Sequence, residues 1–404
     1  MPSLLGQLTA PIRVAGTAAS ALLSVGSDLA EQALRSNATA RAISDAEKRV
    51  SAFRRERKIG KGTLRATHLS AFRGFVGDRQ AHVRVRVLEE PVIPDAAELL
   101  TDPAILRSNL RRFVPLAFPG VTLHLMFRDA RVQSVSDRHG YATAHIPTGR
   151  IKPGWHEFHC VTEPDDLDEL PTIANGEFLV PDPKAPFAVI SDIDDTVLRT
   201  GLTEGFVAVR NTLLQTTNTR RAVPGMASLY ATIARGKDSL PEPAFFYLST
   251  GPWNLYTMLT EFLETRAFPK GVLFLTDWGP QERYVMRSGR EHKRLTLNRI
   301  FGIYPRTHFV LIGDSGQNDP LVYTEIAKSH PKRIAAIIIL DVGDHMADRA
   351  EELKTMQTDL LAEGLPFYFV EDAADAARVM TELNLLDDDA YSEVAAALLR
   401  EKHA

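Results

Sequence analysis

Residues 187–201 read FAVISDIDDTVLRTG, an apolar run that leads directly into three aspartates and a threonine. The run at 187–191 is continuous and does not alternate, which predicts a strand covered on both faces, as in a parallel sheet. Asp192, Asp194 and Asp195 follow at the end of this strand. Unpaired carboxylates repel one another and are costly to desolvate, so three of them at one strand end require a chemical reason.

Further apolar runs of the same kind follow along the chain, separated by loops and helical stretches. This alternation predicts an α/β fold with a parallel sheet over residues 182–404, ending in acidic C-terminal helices. The predicted strands after the first are AFFYLST (244–250), GVLFLTD (271–277), HFVLIGD (308–314), RIAAIIILD (333–341) and PFYFV (366–370).

The preceding part of the chain has a different pattern. Apolar and polar residues alternate at 82–90, 121–137 and 141–147, which predicts antiparallel strands and a β-rich, sandwich-like domain over 62–181. The proline-rich segment VPDPKAP at 180–186 indicates the boundary with the α/β domain.

Residues 1–61 form a basic helical leader in this prediction, with ten Lys and Arg against five Asp and Glu. Two interpretations of the leader remain open. It is an amphipathic helix that meets an anionic membrane surface, or a solvated helix that packs its Ala and Leu face on the body of the protein.

Composition excludes several classes of protein. A chain of 404 residues with 44% hydrophobic content is long enough for two domains. Its net charge of −4 gives no general attraction to nucleic acid. A single cysteine, Cys160, excludes an intramolecular disulfide and fits a reducing compartment, so we expect a cytoplasmic protein. No apolar stretch is long enough to predict a transmembrane segment.

Polar side chains follow three of the predicted parallel strands. Asp192 and Asp194 follow the first, Ser249 ends the second, and Asp314 ends the fourth with Asp319 five residues on. Because ligands bind outside the carboxyl ends of parallel strands, these residues predict one site. A single aspartate at a strand end is more often a helix cap or a turn residue, but capping does not explain several carboxylates at one edge.

These residues resemble the four motifs of the haloacid dehalogenase superfamily of phosphotransferases. The motifs are DIDDT (192–196), Ser249 within LSTGPWNLY, Lys293 within EHKR, and GDSGQND (313–319). The residues within and around these motifs are similar to those of the fungal actin-patch-type phosphatidate phosphatases and their bacterial relatives, over roughly residues 187–341. The resemblance implies a Rossmann-like catalytic domain after a β-rich domain, and hydrolysis of a phosphate monoester. Gly251 departs from the family, where a second serine is expected.

The residue types agree with the chemistry that the resemblance implies. Asp192 is the predicted nucleophile, which forms an aspartyl phosphate, and Asp194 is the predicted general acid and base. Attack by a carboxylate on an anionic phosphate requires neutralising charge. We therefore expect Mg²⁺ as cofactor, held by the Asp192 and Asp314 carboxylates and the Asp194 backbone carbonyl.

The other motif residues have supporting roles in this prediction. Ser249 hydrogen-bonds the transferred phosphoryl group, Lys293 offsets its charge, and Asp319 orients Lys293 or a water bound to the metal. Thr196 is expected to close the loop through a bond from its side chain to the backbone. Asp195 has no predicted role.

Three functions remain open from the sequence. The first is a lipid phosphatase that acts on phosphatidate, and the second is a phosphatase of soluble or protein-borne phosphate. The third is a module without catalysis that binds anionic lipid or a partner. Only about fifty residues separate the first two motifs, so we expect a minimal cap and an open site. An open site suits a phosphorylated lipid substrate and a protein that associates peripherally with an anionic membrane.

Overall fold

The computed structural model describes residues 55–58, 60, 61, 64, 66–90, 116–164, 170–198, 222–237, 240–276, 289–343 and 347–403. The predicted leader lies almost wholly outside these residues, and so does the segment 199–221 between the first two motifs. The chain divides into two compact units, and the second unit, residues 66–276 with 289–404, contains both sheets described below. The predicted domain boundaries remain predictions.

The first sheet consists of seven strands: β1 (Thr67–Gly77), β2 (Gln80–Glu89), β3 (Thr122–Phe127), β4 (Ala130–Val135), β5 (Tyr141–Pro147), β6 (Gly154–Thr162) and β7 (Ile173–Val180). Their spatial order is β4-β3-β6-β7-β1-β2-β5. All neighbours pair antiparallel except β1 and β7, which are parallel. The alternating segment 121–137 forms two of these strands, joined by a two-residue turn at 128 and 129.

This sheet curls until its two edge strands come into contact. Ser134 of β4 donates a hydrogen bond from its hydroxyl to the backbone oxygen of Thr143 of β5, at 3.0 Å. The alternating residues of β2 and β5 bury one face of each strand, which gives the sheet an interior of its own. The sheet is thus β-rich, as predicted, while its description as sandwich-like remains a prediction.

The second sheet consists of six strands: β8 (Ala188–Asp192), β9 (Phe245–Pro252), β10 (Val272–Thr276), β11 (Phe309–Asp314), β12 (Ile334–Leu340) and β13 (Phe367–Val370). They are all parallel, in the order β10-β9-β8-β11-β12-β13. Each lies within two residues of its predicted apolar run. The mixed α/β fold with a parallel sheet is confirmed.

Seven α-helices surround this sheet in the described part of the chain. Two apolar clusters, one centred on Val189 and Ile338 and the other on Ile190 and Ile337, fill the space on its two faces. None of the described helices is both long enough and apolar enough to cross a membrane. The helices are α1 (Met226–Arg235), α2 (Tyr256–Thr265), α3 (Gly289–Ile303), α4 (Asp319–Ser329), α5 (Ala347–Ala362), α6 (Ala373–Glu382) and α7 (Ala390–Lys402).

Strand β1 packs the first sheet against the helices and loops that surround the second. The ring of Phe72 lies 4.7 Å from that of Trp253 and 4.7 Å from that of Tyr256, between ring centroids. Further along β1, the Tyr304 hydroxyl donates to the Val76 backbone oxygen at 2.8 Å. Aromatic contacts of this kind bury large areas, so we expect the two sheets to unfold together.

His82 of β2 lies near this junction and gives the fold a predicted pH dependence. Its ring stacks on Phe75 at 5.0 Å and meets His145 edge to face at 4.4 Å. Burial, followed by the nearby His145 and Arg299, lowers the pKa of His82 from 6.5 to about 4. Between these two pH values the unfolded chain binds a proton that the folded protein does not, so stability falls as pH decreases through this window.

We expect the lowered pKa of His82 to decrease the free energy of unfolding by about 1–2 kcal/mol between pH 7 and pH 4, after allowance for the partial exposure of the ring. Urea unfolding of wild type and His82→Phe at several pH values measures it. The variant keeps an aromatic ring but cannot titrate, so its stability should decrease less below pH 6.5. Identical pH dependence in the two proteins would show that His82 contributes nothing.

Candidate active site

The predicted site residues meet at the carboxyl edge of the parallel sheet, where β8 and β11 lie side by side. The chain goes from β8 to β9 on one side and returns later to β11 on the other, and such a reversal opens a crevice between the two strand ends. Asp192 is the last residue of β8 and Asp314 the last of β11. Both are 0% exposed.

Lys293, which α3 contributes, lies between two of the carboxylates. Its Nζ is 2.7 Å from Oδ1 of Asp192 and 2.5 Å from Oδ1 of Asp319, and the lysine is only 1% exposed. Burial by itself would lower the pKa of Lys293, but the carboxylates of Asp192 and Asp319 outweigh it and raise the pKa above its usual value. Lys293 is therefore a fixed positive charge in direct contact with Asp319.

Close packing at the end of β11 allows this arrangement. A Cβ added at Gly313 would lie 2.5 Å from Oδ2 of Asp319, so only glycine fits beside that carboxylate. The same oxygen accepts a hydrogen bond from the backbone N–H of Asp314 at 3.3 Å. Both carboxylate oxygens of Asp319 are thus engaged by the protein.

Asp192 and Asp314 each retain an oxygen without a protein partner. Oδ1 of Asp314 accepts from the backbone N–H groups of Gly316 and Gln317, at 2.7 and 2.9 Å. Oδ2 of Asp314 and Oδ2 of Asp192 are buried and accept no hydrogen bond from the described residues. Buried acceptors left in this way are rare and call for an ion or another ligand.

The carboxylates could hold a metal ion. One oxygen from each of Asp192, Asp314 and Asp319 lies within 4.8 Å of the others. Oxygen-only donors suit a hard divalent cation. Because Asp319 already uses both of its oxygens, Asp192 and Asp314 are the better ligands, and these are the two side chains predicted from the sequence.

Burial raises the pKa of both of these carboxyl groups. For Asp192 the attraction of Lys293 opposes the shift, while the carboxylates of Asp319, Asp194 and Asp314 add to it. For Asp314, burial and the charge of Asp319 raise the pKa. A bound cation would favour the ionised forms, so the site combines negative groups that a cation is needed to balance.

Asp194 and Ser249 are joined by a hydrogen bond. The Ser249 hydroxyl donates to Oδ2 of Asp194 at 2.9 Å and accepts from the backbone N–H of Gly251 at 3.0 Å. Burial raises the pKa of Asp194, and the bond from Ser249 only partly offsets this. A raised pKa suits a carboxyl group that must carry a proton before it can donate one.

Gln317 touches two of the predicted residues but had no predicted role. Its Nε2 donates to the backbone oxygen of Asp194 at 3.3 Å, and its Oε1 lies 3.5 Å from Nζ of Lys293. The Asp194 carbonyl is the group predicted to bind the metal. The motif GDSGQND contains Gln317, but spacing alone does not reveal which way an amide side chain faces.

Asp195 occupies a special backbone position in the turn after β8. Its φ of +58° lies in the left-handed region, which aspartate and asparagine adopt more readily than most residues. Its backbone N–H donates to Leu198 O at 2.8 Å. A conformational role thus accounts for the third aspartate of the motif, for which the sequence alone offered no function.

The prediction that the Thr196 side chain closes this loop is wrong. Its Oγ1 is buried and has no hydrogen-bond partner among the described residues. Backbone bonds close the turn in its place, since the N–H groups of Val197 and Leu198 both donate to Ile193 O, at 2.9 and 3.0 Å. The sequence pattern does not distinguish a hydroxyl that caps a turn from one buried beneath it.

We therefore expect Thr196→Val to leave stability unchanged or to raise it by about 1 kcal/mol, because valine removes an unsatisfied buried hydroxyl while keeping the shape. Thr148→Val is the matched control. The Thr148 hydroxyl donates to Arg79 O at 2.9 Å, so its loss should cost about 1 kcal/mol. Urea unfolding measures the stability of both variants. If Thr196→Val loses as much stability as the control, the Thr196 hydroxyl does form a hydrogen bond in the folded protein.

Comparison with known proteins agrees with the motifs. Residues 187–341 match the family model of phosphatidate phosphatase APP1, catalytic domain. Phosphatidate phosphatase APP1 of Saccharomyces cerevisiae is 30% identical over 168 residues, which are 41% of this chain and 28% of that protein. An uncharacterized protein of Schizosaccharomyces pombe is 28% identical over 172 residues, 42% of this chain and 27% of that one.

The chain thus spans less than a third of the length of either curated relative. Among solved structures, a carbohydrate acetylesterase from Xanthomonas citri is 10% identical over 81% of this chain and 72% of its own, with a TM-score of 0.22. A score this low supports no conclusion. Residues 187–341 are therefore similar in sequence to the catalytic domain of the actin-patch-type phosphatidate phosphatases, as their motifs indicate.

Proposed function

We propose that this chain is a Mg²⁺-dependent phosphomonoesterase that attacks its substrate through Asp192, and that the substrate is phosphatidate. The main support is the cluster of carboxylates at the sheet edge. In this cluster Asp192 and Asp314 have buried oxygens without a protein partner, beside the fixed positive charge of Lys293. The name of the yeast relative supports phosphatidate as the substrate.

Asp192 and Asp314, with the backbone carbonyl of Asp194, would hold the cation. When bound, Mg²⁺ supplies positive charge that neutralises the phosphate oxygens and lets two anionic groups approach. The identity of the ion rests on the oxygen-only donor set and on the resemblance. Gln317 donates to the same carbonyl and would orient it toward the ion.

The chemistry then proceeds in two steps on the residues of this chain. A carboxylate oxygen of Asp192 forms a bond to phosphorus as the bond to the alcohol oxygen breaks, and the departing alkoxide takes a proton from Asp194. Water next attacks the phosphorus of the aspartyl phosphate while Asp194 takes one of its protons. Inorganic phosphate leaves, and both aspartates return to their starting forms.

Ser249 can serve both steps through its bond to Asp194. A hydroxyl has a single proton, so Ser249 donates either to Asp194 or to a phosphoryl oxygen. When Asp194 is protonated it becomes the donor, which frees the Ser249 proton for the phosphoryl group. The raised pKa of Asp194 and the 2.9 Å contact support this exchange.

The test is phosphate release from phosphatidate in mixed micelles, compared with release from a small aryl phosphate. We expect a higher kcat/KM for phosphatidate, complete loss of activity with EDTA, and recovery with Mg²⁺. Equal or higher efficiency on the soluble ester would favour the second function, a phosphatase of soluble phosphate. Full activity in EDTA would exclude the metal.

A further inference from the structure

A basic pocket lies in the first sheet, outside the site just described. It has a volume of about 380 Å³ and is lined by Arg128, Arg150, Ile151, Lys152 and His156. This volume is in the range of sites that hold small ligands. The three cationic side chains give the pocket a chemistry that none of the predicted motif residues explains.

Two loops bring these cations together. Arg128 is the first residue of the tight turn between β3 and β4, with φ of +51°, and Arg150 and Lys152 belong to the loop between β5 and β6. His156, near the start of β6, donates a hydrogen bond from its Nε2 to the backbone oxygen of Lys152, at 2.8 Å. This bond ties the loop to the strand, so the pocket has a fixed wall.

The charge of the pocket is left largely unbalanced. Arg128, Arg150 and Lys152 form no ion pair with a described acid, and all three are exposed. Arg128 lies over the ring of Phe127, 5.1 Å from its centroid, and that contact leaves its N–H groups available. Asp129 in the same turn offsets one of the three charges. Guanidinium and ammonium groups at one place are suited to a phosphate group.

The pocket lies at the end of the sheet that faces away from Asp192. Along β1, Phe72 contacts Trp253 just beyond the carboxyl end of β9, whereas Val76 contacts Tyr304, which precedes β11. The loops that line the pocket lie at the Val76 end of β1. Thr148, at the start of the loop that carries Arg150 and Lys152, donates a hydrogen bond to Arg79 O in the turn that follows β1. An anion bound there would therefore not reach the nucleophile.

We propose that this pocket is a second anion-binding site, which takes a phosphate-bearing group and does not hydrolyse it. The ligand is either a soluble phosphorylated molecule or the headgroup of an anionic lipid, since both present the same phosphate oxygens. The site is independent of the proposed hydrolysis, and its test depends on binding and not on turnover.

The test compares wild type with Arg150→Gln/Lys152→Gln, two exposed loop positions at which glutamine keeps size but removes charge. The matched control is Lys332→Gln/Lys354→Gln, an equal change of charge at exposed positions elsewhere. The first arm measures the rise in Tm with inorganic phosphate, against potassium chloride of equal ionic strength. The second measures co-sedimentation with phosphatidylcholine vesicles that contain phosphatidylglycerol, a phosphodiester that a phosphomonoesterase does not cleave.

We expect the pocket variant to bind about tenfold more weakly in at least one arm, while the control behaves as wild type. A loss confined to the phosphate arm identifies a soluble ligand, and a loss in the vesicle arm identifies a lipid headgroup. Hydrolysis of a small aryl phosphate should be the same in all three proteins. Equal binding by the pocket variant and the control in both arms would overturn the proposal.

Discussion

We expect Asp192→Asn to release phosphate at least about a thousandfold more slowly than wild type, because an amide cannot form the acyl phosphate. The fold should persist. The substitution removes a buried negative charge, and Lys293 keeps its second partner, Asp319, at 2.5 Å. Initial rates on phosphatidate micelles with Mg²⁺, together with circular dichroism of both proteins, measure these two effects.

Asp195→Asn is the matched control, since it makes the same chemical change three residues along the chain. Asparagine also tolerates the left-handed conformation at this position, where φ is +58°. The control should therefore keep its rate within about threefold of wild type. Comparable losses in the two variants would mean that charge in the loop, and not the identity of Asp192, governs the rate.

Lys293→Met has the largest expected effect on stability. Methionine has nearly the length of lysine but no charge, so Asp192 and Asp319 would lose their common partner inside the protein. Removal of one member of a buried ion pair typically costs about 3–5 kcal/mol. Urea unfolding should show a loss of this size, and phosphate release should be abolished as well.

Two further variants establish the cause of that loss. Lys328→Met removes an exposed lysine that lies 3.1 Å from Glu363, and it should cost less than about 1 kcal/mol. Lys293→Met/Asp319→Asn also removes one of the two carboxylates that Lys293→Met leaves unpaired, so it should be more stable than Lys293→Met alone. If the double variant is no more stable than Lys293→Met, lost side-chain packing and not unpaired charge explains the effect.

The parallel sheet could be predicted closely because its strands are continuous apolar runs bounded by polar loops. The run at 187–191 and the observed strand Ala188–Asp192 differ by one residue at each end. The strands of the first sheet were harder to predict. In β1, a register shift between Phe72 and Phe75 breaks the alternation, and a Cβ at the intervening Gly74 would lie 2.4 Å from His82 O. A bulge of this kind leaves no simple period in the sequence.

The candidate site likewise has features that the sequence predicts and features that it does not. Strand ends predicted that Asp192 and Asp314 meet, because the topology of a parallel sheet brings these positions together. Lys293 lies on a helix, and only the resemblance to the phosphotransferase motifs placed it in the site. Spacing could not predict that the Thr196 hydroxyl is unpartnered or that Gln317 reaches the Asp194 carbonyl. Such details depend on side-chain rotamers and on the loop backbone, which a residue pattern does not specify.

Covalent attack by Asp192 is the central step of the proposed mechanism, and chemical trapping of the aspartyl phosphate tests it. Wild type is mixed with radiolabelled phosphatidate and Mg²⁺, quenched in acid within one turnover, reduced with borohydride and digested. Reduction converts a phosphorylated aspartate to homoserine, which mass spectrometry locates in the peptide. We expect homoserine at position 192 of the wild type and none in Asp192→Asn. Turnover of phosphatidate without modification at Asp192, or with modification at another carboxylate, would contradict it.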